Sequence, residues 1–148
     1  MHLHLSVESR LPGGRLRIDD LRVAGLTALV GPSGVGKSTV LEYIAGLRHP
    51  ERGLIACGGR TWLDTETGVR EPAGARSVGY VPQDLALFPH MSARDNVAWG
   101  IRGRRGRRRA RAEELLERFR LGGSGGRRAA ELSGGERRRV ALARALAT

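Results

Sequence analysis

Gly31-Pro32-Ser33-Gly34-Val35-Gly36-Lys37-Ser38-Thr39 decides the fold. The stretch fits the pattern G-x-x-x-x-G-K-[ST] at every fixed position. It follows the apolar run Leu26-Thr27-Ala28-Leu29-Val30 and opens a periodic segment from Lys37 to Leu47. Phosphate groups need many donors at short range. Backbone N–H groups supply them when a loop wraps tightly, and glycine permits that wrap because it tolerates positive φ. A helix starting near Lys37 aims the positive end of its dipole at the anion. The Lys37 ammonium is placed to reach the β- and γ-phosphates of a nucleotide, and the Ser38 hydroxyl to ligate Mg²⁺. Thr39 supports the α/β-phosphate side. The bland alternative is a glycine-rich turn into an ordinary helix. The strand before the motif and the apolar-faced helix after it count against that.

Working outward, His2–Val7 alternates like a strand with one buried face, and Pro12-Gly13-Gly14 reads as a turn. Residues 15–23 give a second strand-like stretch, broken by Asp19-Asp20. Leu26–Val30 reads as a buried central strand. In the helix from Lys37, the face Val40, Leu41, Ile44 and Ala45 is expected to be buried, with Gly46 near the end. Gly53–Cys57, Arg60–Leu63 and Val78–Val81 read as short strands, and 64–76 as a polar loop. From about residue 84 the character is helical: 92–101, 106–121 with Leu115, Leu116 and Phe119 at helical spacing, and Ser133–Ala147 behind a Ser-Gly-Gly cap. Gly122–Gly126 reads as a flexible turn.

The 148 residues suffice for one domain and a sizeable core. Aromatics are only 4%, so packing leans on Leu, Val, Ala and Ile. The sequence holds no apolar run long enough to span a bilayer and no secretory signal at its start. Cys57 is the single cysteine, so no internal disulfide forms; it reads as a small buried residue. The net charge of +11 is concentrated in the arginine-rich second part. Charge placed so raises nucleic acid or anionic membrane as partners. The bland reading is a general bias toward arginine, with Arg102–Arg111 as a solvated helix face. Against 25 arginines stands one lysine, Lys37, where a compact ammonium is needed and a planar guanidinium fits poorly.

Two further motifs accompany the phosphate loop. Gly79-Tyr80-Val81-Pro82-Gln83-Asp84 lies 46 residues on, counted from Lys37 to Gln83, and Leu132-Ser133-Gly134-Gly135-Glu136 begins 49 residues after Gln83. In this order and spacing the three resemble the phosphate loop, Q-loop and signature sequence of ATP-binding-cassette ATPases. The resemblance covers the chain almost end to end. It implies an α/β fold: a P-loop nucleotide-hydrolase core with an N-terminal antiparallel β subdomain and a helical subdomain carrying the signature, cut short at the C-terminus. The expected organisation is the β subdomain and P-loop core over 1–83, the helical subdomain over 84–131, and the signature with its helix over 132–148.

The resemblance also implies ATP and Mg²⁺ as cofactors, with Ser38 and Gln83 toward the metal and Gln83 sensing the attacking water. Ser133, Gly134, Gly135 and Glu136 would face the ATP held by a second subunit, in a head-to-tail dimer. The physics of that helix start stands without the family: a serine cap and two glycines leave the first N–H groups bare. Further implied partners are the integral membrane permease subunits of an importer, which puts the chain in the cytoplasm, peripheral on the inner face of the cell membrane. Leu87, Phe88, Met91 and Trp99 read equally well as a groove for a permease helix and as the small core of the helical part. The Leu87-Phe88-Pro89-His90 run and the loop after Trp62 resemble oxyanion importers, the molybdate type first, with sulfate, ferric-ion and polyamine importers sharing the pattern. A nucleic-acid-linked ATPase of the same superfamily is the rival, and a non-hydrolysing nucleotide-binding module a third reading; nucleic acid is not the expected partner.

The sequence departs from the family pattern in two places. Glu8-Ser9-Arg10-Leu11-Pro12 has no aromatic to stack on adenine, and Arg10 is the available substitute. No apolar run ends in Asp-Glu, so the acidic Mg²⁺ partner, the general base and the later switch histidine have no counterpart in the 148 residues. Residues 1–148 on their own are therefore expected to bind nucleotide with little turnover. Phosphate release by this polypeptide, compared with its Lys37→Ala variant, checks this: robust turnover abolished by the substitution would refute it.

Overall fold

The alternation seen at residues 2–7 carries on further, and β1 runs His2–Leu11 with Leu5, Val7 and Ser9 buried on one face. Pro12 and Gly13 turn the chain into β2, Gly14–Ala24. The structure, a computed structural model, describes residues 2–147 and divides them into two units, one ending at Ser77 and the other starting at Val78. In the first unit β3 (Arg52–Cys57), β4 (Arg60–Asp64) and β5 (Val69–Arg70) complete an antiparallel sheet in the order β2-β1-β3-β4-β5. Leu5, Val7, Ile55 and Leu63 are buried in it, as is Cys57, in line with the reading of a small buried residue.

Asp19 and Asp20 do not break β2. The strand lies at the sheet edge, where both carboxylates reach water and cations: Arg17 bonds Asp19, Arg22 bonds Asp20, and His4 Nε2 lies 2.8 Å from Asp20. A register shift between Leu5 and Val7 keeps the pairing in step.

The run Leu26–Val30 is not a buried strand. All five residues are exposed, and no strand among the described residues pairs with them. A continuous apolar run signals a strand covered on both faces, but strand geometry needs a ladder partner, and composition cannot supply one. Val78–Val81 likewise forms no strand, for the same reason. The expected loop at 64–76 is partly ordered, holding β5 and a 3₁₀ turn at Ala73–Ala75.

The helix α1 (Lys37–Ala45) stops two residues before the expected Leu47, capped by Gly46 in the left-handed conformation (φ 76°). Its buried residues are Thr39, Val40, Tyr43 and Ala45, whereas Leu41 is exposed. The inward stripe is thus rotated from the apolar one by the need to bury the Tyr43 ring. What ties α1 to the sheet is Arg76. Its side chain is 1% exposed. It donates to the carbonyls of Tyr43 (2.7 Å) and Ile44 (3.1 Å) at the end of α1, of Trp62 (3.3 Å) in β4, and of Glu71 (2.9 Å). A cation near the helix C-terminus also meets the negative end of the dipole. Burial holds the Arg76 pKa below its ordinary value, and the nearby Glu71 carboxylate works the other way.

The second unit is helical: α2 (Ala93–Ala98), α3 (Arg105–Arg118) and α4 (Gly134–Ala145), with a 3₁₀ turn at Ala129–Glu131. Val97, Leu115, Leu116, Leu121, Leu132 and Val140 form its core, with Leu87 and Phe119 packed partly buried against it. Ser92 caps α2 by accepting from the Asp95 N–H. No helix among the described residues is long and apolar enough to cross a membrane.

Replacing Arg76 with Met keeps the bulk but removes the guanidinium from four carbonyls, of which Tyr43 and Trp62 keep a backbone donor, the Gly46 and Glu71 N–H groups. It is expected to cost about 2–4 kcal/mol of stability, and Arg76→Lys less. Urea unfolding midpoints of the variants check this; a midpoint unchanged in Arg76→Met would show that the carbonyls find other donors.

Candidate functional site

The segment Gly31–Thr39 forms an open loop leading into α1. Gly34 (φ 81°) and Gly36 (φ 100°) take left-handed conformations that turn successive N–H groups the same way. Gly36 caps α1, and the first helical bond runs from the Val40 N–H to its carbonyl (3.0 Å). No side chain caps this helix start. Among the described residues, no protein acceptor meets the amides of residues 33–39. The loop therefore leaves bare donors at the positive end of a helix.

The Lys37 ammonium is folded over this loop. It donates to the carbonyls of Gly31 (2.9 Å) and Pro32 (2.6 Å). A flexible stem held by two neutral carbonyls can turn to an anion placed in the loop at small cost, since charge-assisted bonds are the stronger ones. The Ser38 hydroxyl is exposed and Thr39 is buried. The tip of the β1–β2 hairpin lies close by: a Cβ on Gly36 would stand 3.0 Å from Leu11 and 3.5 Å from Leu16. Arg10, the substitute base-stacking residue, is exposed on β1 opposite Arg15, which is ion-paired to Glu8. Two concavities of this unit lie on the strand surface, lined by residues such as Glu8, Arg17, Glu51 and Arg52, and none of Gly31–Thr39 lines either.

In the second unit Gln83 is exposed in a tight turn, closed by the Leu85 N–H bonding the Pro82 carbonyl (3.0 Å). Ser133 and Glu136 form a capping box: Glu136 N–H donates to Ser133 Oγ (3.3 Å), and Ser133 N–H to Glu136 Oε2 (2.7 Å). Glu136 also takes a bond from Arg127 (3.0 Å). Its carboxyl is held below the ordinary value of 4.5, first by the Ser133 backbone N–H. Glu136 is thus committed to the helix cap rather than pointing outward as a free ligand. The Gly134 and Gly135 amides meet no acceptor among the described residues; the space where a side chain would stand is open at Gly134, and at Gly135 a Cβ would stand 3.8 Å from Arg139 Nη1. The Ser-x-x-Glu spacing at 133–136 already carried this cap in the sequence.

Leu87, Phe88, Met91 and Trp99 differ in burial. Leu87 packs against the helical core, while Trp99 is 62% exposed and tilts against Phe88 (5.1 Å between ring centroids). Fully buried Asn96, which sequence patterning gave no reason to notice, grips Phe88 by both its N–H (2.9 Å) and its carbonyl (3.0 Å). In the arginine run, Arg108 bonds the Ala98 carbonyl, Arg109 pairs with Asp95 and Arg111 with Glu114. Arg102, Arg104, Arg105 and Arg107 are exposed.

For Mg²⁺, the first unit offers the exposed Ser38 hydroxyl as an oxygen donor, and the second unit, taken by itself, the exposed Gln83 amide. No group of three or more His, Cys, Asp or Glu that could hold a metal occurs among the described residues. A hard ion that keeps waters and takes phosphate oxygens fits such a sparse protein set.

Residues 20–148 match the family model for the ABC transporter. The chain belongs to this family. Its curated ABC relatives include the sulfate/thiosulfate import ATP-binding protein CysA of Gloeobacter violaceus, 47% identical over 86% of this chain and 36% of that protein. The Fe(3+) ions import ATP-binding protein FbpC of Pseudomonas fluorescens is 49% identical over 82% of this chain and 34% of its own length. The molybdate/tungstate import ATP-binding protein WtpC of Archaeoglobus fulgidus is 42% identical over 99% of this chain and 59% of its own length. The chain thus spans about a third to three-fifths of these relatives. Among solved structures, the dimeric bacterial ABC transporter cassette MJ0796 superposes with a TM-score of 0.72 at 28% identity, over 99% of this chain and 69% of that one. The same cassette in a post-hydrolysis state bound to ADP and Pi gives 0.71.

The capping box makes α4 sensitive to acid. A depressed folded-state pKa means stability present above the unfolded value and lost as pH falls through the folded one. Protection of α4 amides is therefore expected to be full above pH 4.5, the ordinary carboxyl value, and to decline below it. Ser133→Ala should cost about 1 kcal/mol at neutral pH. Hydrogen exchange of the 136–139 amides against pH checks both; a flat profile would show that the box adds nothing.

Proposed function

We propose that this chain is the ATP-binding portion of an ABC importer's cytoplasmic ATPase subunit, lying on the inner face of the cell membrane. The observation that carries this reading is the set of bare amides at 33–39, at an uncapped helix start, with the one lysine bonded to the Gly31 and Pro32 carbonyls of the same loop. Gly31, Pro32, Ser33, Gly34, Val35 and Gly36 would wrap the β- and γ-phosphates, and Lys37 would turn from the two carbonyls to those phosphates. Ser38 would take one Mg²⁺ position and Thr39 the α/β-phosphate side. Bound Mg²⁺ would supply charge neutralisation across the phosphate oxygens.

Gln83, exposed on its turn, would face the metal and the attacking water. Ser133, Gly134 and Gly135 would present the second helix start to the ATP of a second subunit, with Glu136 holding that start in shape. The dimeric form of the MJ0796 cassette supports this arrangement. The exposed Trp99 beside Phe88 supports a membrane permease as the further partner, through the surface at 87–99. Transported solutes in the relatives' names include sulfate, ferric ion, molybdate and spermidine. A small ionic solute, an oxyanion such as molybdate among them, is the class proposed here.

Titration with ATP–Mg²⁺ tests the reading. Lys37→Ala should weaken binding at least about tenfold, the scale of losing a charge-assisted contact to phosphate. Equal affinity in the variant, or saturable binding that nucleic acid rather than nucleotide displaces, would sink it.

A further inference from the structure

The segment carrying Gln83 is fastened at both ends to one turn of α4. On the near side, Gly79 lies against the backbone of Ala145, so closely that a Cβ there would run into the Ala145 carbonyl group, 2.9 Å from its carbon. On the far side, Arg144 donates from Nη1 to the Ala86 carbonyl (2.7 Å) and from Nη2 to the Leu85 carbonyl (2.9 Å). Its guanidinium also stands over the Phe88 ring, 5.9 Å from the centroid. Between these two fastenings sit Pro82, Gln83 and Asp84.

The far fastening holds an unfavourable backbone. Leu85 (φ 66°) and Ala86 (φ 42°) are consecutive non-glycine residues in the left-handed region. Each disfavours that conformation because its Cβ crowds the following carbonyl. Two such residues in a row persist only where the surroundings over-determine them, and such places cluster at functional sites. The group that over-determines them here is the forked guanidinium, which needs both carbonyls turned to one side. Arg144 is itself costly to place. Burial lowers its pKa, and no carboxylate pairs with it among the described residues. A half-buried cation that donates to two carbonyls outside α4 and stands over a ring is poorly explained as a stabiliser of α4, which makes its own helical bonds without it.

We propose that Arg144 is a positioning residue for Gln83. It fixes the 82–86 turn onto α4, so that the helix beginning at Ser133 and the loop bearing Gln83 move as one body. The span from Ser133 to Arg144 is a single helix of ~17 Å, at 1.5 Å per residue. A phosphate contact made at the Ser133-Gly134-Gly135 end would therefore be felt at Gln83 and at the Phe88–Trp99 surface beyond it. This inference rests on the role of Gln83 given above.

The test uses the full-length protein with Arg144→Gln, Arg144→Lys, and Arg144→Gln combined with Ala86→Gly. In Arg144→Gln, amides 84–88 are expected to exchange about tenfold faster while amides 138–143 stay within about twofold. Affinity for ATP–Mg²⁺ should stay within about twofold, and whatever kcat the unaltered protein shows should fall about tenfold, the mark of a misplaced group rather than a lost binding contact. Arg144→Lys should be intermediate, since one ammonium cannot fork to two carbonyls. Adding Ala86→Gly relieves the left-handed strain and should restore much of both the loop protection and kcat.

Unchanged exchange at 84–88 in Arg144→Gln overturns the proposal. So does protection lost throughout α2, α3 and α4 and not restored by Ala86→Gly, because Arg144 would then be a plain packing residue. Gln83→Ala, run alongside, separates the two readings. A kcat equal to that of the unaltered protein retires Gln83 from the reaction, and the exchange data alone then decide the clamp.

Discussion

Buried main-chain carbonyls at the ends of regular elements are the constraint on which this molecule turns. Buried carbonyls need donors, and the last carbonyls of a helix have no partner within it. Arg76 adds donors to those the backbone gives: one guanidinium gathers the carbonyls of Tyr43, Ile44, Trp62 and Glu71. It thereby fixes the far end of α1 to β4 and to the 71–76 segment. Since α1 begins at the phosphate loop, what holds its C-terminus also sets how firmly its N-terminal amides are aimed.

The second unit solves the same problem with different residues. Asn96 serves both the N–H and the carbonyl of Phe88, and Arg144 serves Leu85 and Ala86. Between them the irregular stretch from Pro82 to Met91 is shaped without regular secondary structure. Planar, forked side chains suit this task, because each can meet two or more carbonyls in one plane. An arginine-rich composition, which read at first as charge alone, is in part a supply of such donors; part of the run at Arg102–Arg111 remains exposed to solvent.

Helix starts carry the chemistry in both units, and they are prepared in opposite ways. Gly36 leaves α1 without a side-chain cap, so its first amides stay free. At α4, Ser133 and Glu136 close a capping box that consumes some donors and leaves the Gly134 and Gly135 amides bare. The first is open to a whole phosphate chain. The second exposes fewer donors, on a helix whose start its own side chains cap.

The phosphate loop, the hairpin of β1 and β2, the helices and the serine cap of α4 were legible in the residues alone. Each depends on local rules: left-handed glycines, period-2 and period-3.6 burial, and cap chemistry within four positions. The family was legible for the same reason, since its motifs are short and contiguous. What the sequence misjudged was non-local. Leu26–Val30 and Val78–Val81 have the composition of strands, but a strand exists only with a neighbour. Arg76, Asn96 and Arg144 looked like ordinary polar residues, because their partners are carbonyls brought near by the fold and every residue type has a carbonyl. Only the tertiary structure could decide which of them a given side chain would meet.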